Sequence, residues 1–584
     1  MLPIVILTCS LLLPALQDAA PDAPPAVPDA EAGDGDDAEH STDGTTGSTT
    51  VETTGGALAW TSWMSDNGGD WGRDWGSLDI YGGYGLSFGN SKEWTGLRFN
   101  IRDWSVRKVR GVNITLWVPG ENPDAEIDGI SLGLISPDAN RMRGVSLGLI
   151  GVHAGDRMQG VAAALGAVFV DGTGQGVHLS GFGTGSAGEL QGINLSGLAV
   201  YANDGLQGFS AAGLATVSGE SLHGVGIGGL AVVAGDSIEG ITGTFGATVS
   251  DNDMEGINLS GLATVSNGHQ TGIQLAGLAN VADDSITGFQ GAFLANVADG
   301  GMTGIQLGGI ANVSDGDLTG IQLGGIANVA DGQLTGIQLG GLAVVSDGAM
   351  TGVQVAGAAT VSDGPMEGIH ISGLATVSSS SMTGVNLGGF ATVAEGDMTG
   401  INLGGLGLFS EGHATGLNAS FLMAMGQEGM TGVNIGGLAA ASGGSLTGLN
   451  VGGLGVLSLS DIRGINVAGL VVDAGSAEIR EMLNWHDASQ PVGDARITGF
   501  TVAGLGVQAD HIRGVAAAGL LTRCRTVEGL TIGAINNVGT QQTGLSIGLF
   551  NHAEDLNGVQ IGLVNHVPSN PVWARWLPLV NARF

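Results

Sequence analysis

Basic residues are scarce in this chain. Its 584 residues include 18 Lys and Arg against 54 Asp and Glu, for a formal net charge of −36. A surface of that sign repels phosphate backbones and anionic lipid, which argues against nucleic acid as a partner. Between Arg157 and Arg463 there is no Lys or Arg at all. Charged residues make up only 12% and aromatics 5%, where an ordinary globular domain carries about 25% charged residues. Cysteine is limited to Cys9 and Cys524. Cys9 lies in the leader, so the mature chain cannot form an internal disulfide and must rely on packing and hydrogen-bonded ladders. Cys524 stands between Arg523 and Arg525, where positive charge favours a thiolate, but an ordinary unreactive Cys is the simpler expectation.

What is abundant is glycine, at 109 residues, and its distribution divides the chain. Residues 1–19 read as an export signal peptide, with the apolar run Leu2 to Leu16 followed by Gln17, Asp18 and Ala19. Residues 20–56 are an acidic Pro/Ala/Thr/Gly-rich linker with too little apolar surface to offset the entropy of ordering. Residues 57–127 form a Trp-rich N-terminal β cap with degenerate repeats, holding Trp60, Trp63, Trp71, Trp75, Trp94, Trp104 and Trp117. Terminal repeats of an array are usually atypical because they cover an open end.

Residues 128–470 are a regular array. Gly followed by Ile, Val, Leu or Phe recurs from Gly144 to Gly464 in twenty intervals of 16 residues without an insertion. Residues 471–497 read as an insertion that includes Arg480 to Trp485 and suits a short helix. Further repeats occupy 498–568, and 569–584 is a C-terminal strand or cap. One unit, Leu318 to Gln333, places Leu318, Ile321, Leu323, Ile326 and Val329 among glycines and ends in the turn pair Asp331-Gly332. The glycine load excludes helix.

Two all-β architectures fit the unit. In a parallel β-solenoid each unit is one coil and identical residues stack at about 4.8 Å. Thr271, Thr287, Thr303, Thr319, Thr335 and Thr351 then form one ladder, Gln274, Gln306, Gln322 and Gln338 another, and the five apolar positions make a continuous core. The alternative is a large antiparallel outer-membrane β-barrel with one strand per repeat, supported by the uncharged strand bodies and the terminal Phe584. Strand alternation favours the solenoid, because Leu318 and Ile326 would face a polar lumen in a barrel.

The units Gly544-Leu545-Ser546-Ile547-Gly548-Leu549-Phe550-Asn551 and Gly558-Val559-Gln560-Ile561-Gly562-Leu563-Val564-Asn565 resemble the bacterial surface-repeat family first catalogued in spirochaetes. The ending, Leu577-Pro578-Leu579-Val580-Asn581 with a closing Phe584, is similar to that family's usual terminus. The central units drift to GIQLGGIANV. The resemblance implies export to an outer-membrane or cell-surface address and no catalytic activity.

Asp283, Asp299, Asp315, Asp331, Asp347 and Asp363 recur every 16 residues, with Glu395 and Glu411 in the same column. Stacked carboxylates repel, and calcium takes carboxylate and carbonyl oxygens in flexible loops, so this edge is a candidate for weak Ca²⁺ binding. No other cofactor is expected. The eleven histidines are scattered, and His178 and His370 share a column only at distant coils. No H-E-x-x-H occurs, and G-x-S-x-G matches mean little in so Gly-rich a chain. The expectation is a non-enzymatic exported repeat protein with a structural, adhesive or binding role, its partners drawn from the outer membrane or envelope. A barrel would instead make it a pore.

Overall fold

Each 16-residue unit folds into two short strands joined by two corners. In the unit of Gly320 these are Leu318–Gly324 and Ala327–Ala330. Every strand pairs in parallel with the equivalent strand one unit away, so that Leu318 lies beside Leu334, Gln322 beside Gln338 and Asn328 beside Asn312. The corners are bonded in the same way, with Ile326 N–H donating to Ile310 O at 2.7 Å and Asp331 N–H to Ser314 O at 3.0 Å. The chain is therefore a parallel β-solenoid with one coil per repeat. The computed structural model describes residues 78–80, 83–476 and 494–584, and the expected signal peptide and linker, with four of the expected cap's tryptophans, lie outside them. Parallel pairing excludes the antiparallel barrel, and with it the pore that rested on the barrel.

Strand alternation decides what each coil buries. Leu318, Gln322, Gly324, Asn328 and Ala330 face inward, while Ile321 and Ile326 are exposed and Leu323 and Val329 are half-buried. The expected core of five apolar columns is thus corrected: one large apolar column, that of Leu318, is buried, and two amide columns take the remaining space. Amides fit because a stack at strand spacing lets each one donate to the next, which satisfies both ends of a group that would otherwise be costly to bury. Gln290, Gln306, Gln322, Gln338 and Gln354 each donate Nε2 to the Oε1 of the preceding Gln at 2.6–3.0 Å. Asn280, Asn296 and Asn312 each donate to the following Asn at 2.8 Å.

Gly320 lies inside a strand and not at a corner. Its φ is +115°, and a Cβ there would sit 2.2 Å from the carbonyl oxygen of Gly304. Both the backbone angle and the space demand Gly, and that accounts for the unbroken column from Gly144 to Gly464.

The inward column that carries Gln322 continues through His370 to Asn386, Asn402, Asn418, Asn434, Asn450 and Asn466, and here the polarity reverses. Each of these asparagines except the last donates forward to the next at 2.7–3.0 Å. Gln354 Oε1 and Asn386 Oδ1 are left without hydrogen-bond partners, as are both ring nitrogens of His370 on the coil between them. Burial pushes the His370 imidazole down to about 4. Because an unfolded His titrates near 6.5, the unfolded chain takes up the proton first. Stability is full above about pH 6.5 and falls as pH drops towards 4, by about 3 kcal/mol. His370→Gln should remove this loss, as read by denaturant midpoints at pH 7 and pH 4.5. Equal pH sensitivity in the variant would count against His370 as its source.

Both ends of the stack are closed by antiparallel strands. Leu78–Ile80 pairs antiparallel with Tyr84–Phe88, and Trp576–Arg583 runs back along Phe550–His566, where Trp576 stacks on His566 with ring centroids 3.8 Å apart. Near the N-terminus the column of Gln322 holds Arg98, fully buried and ion-paired with Asp103. Asp103 also accepts from Asn113 and Asn100 at 2.9 Å. Burial raises the Asp103 carboxyl, but Arg98 and these hydrogen bonds outweigh it and hold it below the usual range. Trp94 is buried and donates to Gly85 O at 3.3 Å, while Trp117 is exposed. In the 471–497 segment, Val471–Ala474 is still a strand of the array and Arg496–Ala503 resumes it in register. The departure from the coil is therefore shorter than expected, and residues 477–493, where the helix was expected, lie outside the described residues.

Candidate functional site

The outside of the coil has two unlike sides. In the coils from Gly144 to Ala468, the long strand from its repeat glycine onward, the first corner and the start of the short strand carry no Asp, Glu, Lys or Arg. Formal charge is confined to the second corner and to the few positions just before each repeat glycine. On the uncharged side, Ile305, Ile321, Ile337 and Ile401 form one exposed column, and Ile310, Ile326, Leu342 and Leu374 another. Leu259, Leu275, Leu339 and Ile371 form a third between them. Single exposed apolar residues are normal, but contiguous columns running for about twenty coils are not, and they make this side the candidate interaction surface. Hydropathy alone assigns these residues to the core. The signal against that assignment is the odd-numbered set of Ile321, Leu323 and Val329, apolar throughout, beside an even-numbered set in which Gln, Asn, Thr, Ser and His replace one another.

The Thr and Gln ladders expected from the repeat are divided by the same alternation. The Gln column is fully buried and takes part in no surface, whereas the Thr271 to Thr351 column lies outside. The six turn aspartates, Asp283, Asp299, Asp315, Asp331, Asp347 and Asp363, are all exposed along the charged corner. Asp299 and Asp347 sit above the ordinary carboxylate range, first through partial burial and then through the carboxylates on adjacent coils. They stand in single file, and among the described residues no three His, Cys, Asp or Glu side chains converge to hold a metal ion. Other turn acids brace the corner itself. Asp317 Oδ1 accepts from Gln333 N–H at 2.7 Å, and Asp253 and Asp397 repeat the contact with His269 and His413 at 2.8 and 2.7 Å. The acidic corner thus ties successive turns together.

Histidines on this corner face acids one coil away, as His223 faces Glu239 at 3.3 Å and His269 faces Asp284 at 3.2 Å. His153 lies between Asp138 and Asp171; burial opposes its protonation, but the two carboxylates outweigh it and hold the imidazole above its ordinary range. Cys524 is buried, which pushes its thiol up to about 12 and leaves no thiolate for chemistry at neutral pH.

No protein-family model, curated protein or solved structure matches this chain. The resemblance to the surface-repeat family therefore rests on the units of Gly544 and Gly558 and on the closing residues Leu577 to Phe584.

Proposed function

We propose that this chain is a non-enzymatic repeat protein of the cell surface or outer membrane, with a solenoid that serves as a structural or binding scaffold. The observation that carries this reading is the exposed apolar wall, free of charge in every coil from Gly144 to Ala468. A wall of that extent is unfavourable in water unless something covers it. The signal-like residues 1–19 and the C-terminal surface-repeat motifs support an exported address. The acidic corner, opposite in character, keeps one side hydrated.

The test is location. Protease added to intact cells of the native source should degrade the chain while periplasmic and cytosolic markers survive. Recovery of the chain in the cytosol, with residues 1–19 retained and protection lost only on lysis, would overturn the reading.

A further inference from the structure

The apolar wall carries a pattern finer than hydrophobicity, and it lies along the first corner. From the coil of Gly160 to that of Gly464, the column of Gly325 at this corner is Gly in most coils, but four coils place a large residue there: Leu165, Phe245, Phe293 and Phe421. These side chains project into solvent, Phe245 being 85% exposed and Phe293 and Phe421 each 72%. In all four coils the residue two positions earlier, in the column of Leu323, is small: Ala163, Gly243, Gly291 and Ala419. Elsewhere in that span the Leu323 column is Leu, Ile or Val, with Ala211 the one exception. Nothing lies within 4 Å of where a Cβ on Gly243 would stand. Each projecting side chain therefore has a small residue beside it on the same coil, with open space at Gly243 and only the end of the Leu275 side chain, 2.9 Å from a Cβ, over Gly291. Open grooves follow these same columns, one including the coil of Leu165 and lined by Ala163, Leu179, Leu195 and Ala211, and another lined by Ile532, Ile547 and Leu549 near the C-terminus.

We infer that a second copy of this chain covers the apolar corner, packed side by side in parallel about a two-fold axis along the solenoid. The inference rests on the apolar wall of the proposed function but not on where the protein resides. A two-fold between the Leu323 and Gly325 columns sets every coil against its own counterpart. Phe245 of one copy then meets the hollow at Gly243 of the other, and Phe293, Phe421 and Leu165 meet Gly291, Ala419 and Ala163. Such reciprocity is what an isologous interface requires.

Charge and area agree with this occupant. Each copy is strongly acidic, yet no formal charge lies on the contacting columns, so the acidic corners stay apart in water. A strip about four residues wide at roughly 3.3 Å each, over about twenty coils at about 4.8 Å, covers about 1,200 Å² per copy. A stable interface needs about 800 Å² per partner. A bilayer surface fits less well, since interfacial binding draws on Lys and Arg beside the apolar face, and none occurs between Arg157 and Arg463.

The experiment is sedimentation of the full chain in detergent-free buffer and, separately, in zwitterionic micelles. A dimer is expected without detergent. Gly243→Phe with Gly291→Phe, which sets rings at two small-residue positions opposite projecting rings, should raise the dimer dissociation constant at least about tenfold. Adding Phe245→Gly and Phe293→Gly to the same chain exchanges ring and small residue and should restore dimerisation. The same far-ultraviolet dichroism in all variants shows that the fold is retained. A monomeric chain, a dimer indifferent to the added rings, failure of the exchange to restore it, or solubility only as a monomer in micelles would each overturn the proposal. A dimer found for a cytosolic protein would leave this inference standing while the proposed function failed.

Discussion

Asp103→Ala should destabilise the N-terminal coils by about 3–5 kcal/mol, the range for removing one partner of a buried ion pair. Arg98 is fully buried, and Asp103 is the acid that neutralises it. Without the carboxylate, a guanidinium remains in a low-dielectric core, and Asn113 and Asn100 lose their acceptor. The attraction between the charges is not itself the large quantity. Arg98→Met combined with Asp103→Leu should therefore cost much less than Asp103→Ala alone, because no charge stays buried. Acid should reproduce the single substitution. Asp103 has a depressed folded pKa, so its contribution is present above the unfolded value near 3.9 and is lost as pH falls through the lower folded value. Hydrogen exchange over residues 93–115 would locate the effect. A double variant as unstable as Asp103→Ala would show that packing, not charge, governs the site.

Gly320→Ala should cost about 4 kcal/mol, far beyond the usual effect of adding one methyl group. Two costs combine. A non-Gly residue held in an unfavourable backbone region costs about 1–3 kcal/mol, and φ is +115° at Gly320. The new Cβ would also lie 2.2 Å from Gly304 O, so the coils must separate and weaken ladder hydrogen bonds worth about 1 kcal/mol each. Ala at position 325 isolates the backbone angle: a Cβ there would also meet a carbonyl, Gly309 O at 1.9 Å, but φ is not in the left-handed region and the column accepts Phe at 245 and 293. Gly325→Ala should be milder by the backbone-strain cost, about 1–3 kcal/mol, in chemical denaturation. Equal losses at both positions would mean that glycine content, and not the conformation of one column, limits stability.

Much of this architecture was legible because a repeat imposes its own constraint. Twenty equal intervals require every copy to occupy an equivalent environment, and stacked coils satisfy that more simply than a barrel whose two rims differ. The turn pair Asp331-Gly332 and the exclusion of helix were readable from residue chemistry in the same way. The inside of the coil was not readable. Hydropathy assigns Ile321, Leu323 and Ile326 to a core, whereas the fold buries Gln322 and Asn328. A single amide gives no sign of this, since its burial is favourable only when an identical amide lies one strand spacing away. The projecting phenylalanines and the small residues two positions before them were visible as a co-occurrence, but without the corner they had no spatial meaning.

The sequence alone determined a strict 16-residue coil, glycine at one position of every coil, a charge-free half in each repeat from Gly144 to Ala468, and the placement of acids at one turn. Those properties belong to residue types and their spacing. Only the tertiary structure decided that the strands run parallel, that amides fill the interior and that aliphatic side chains form the outer wall. The reason is physical: the same alternating strand can bury either of its faces, and the choice here falls to hydrogen bonds between neighbouring coils, which exist only once the coils have stacked.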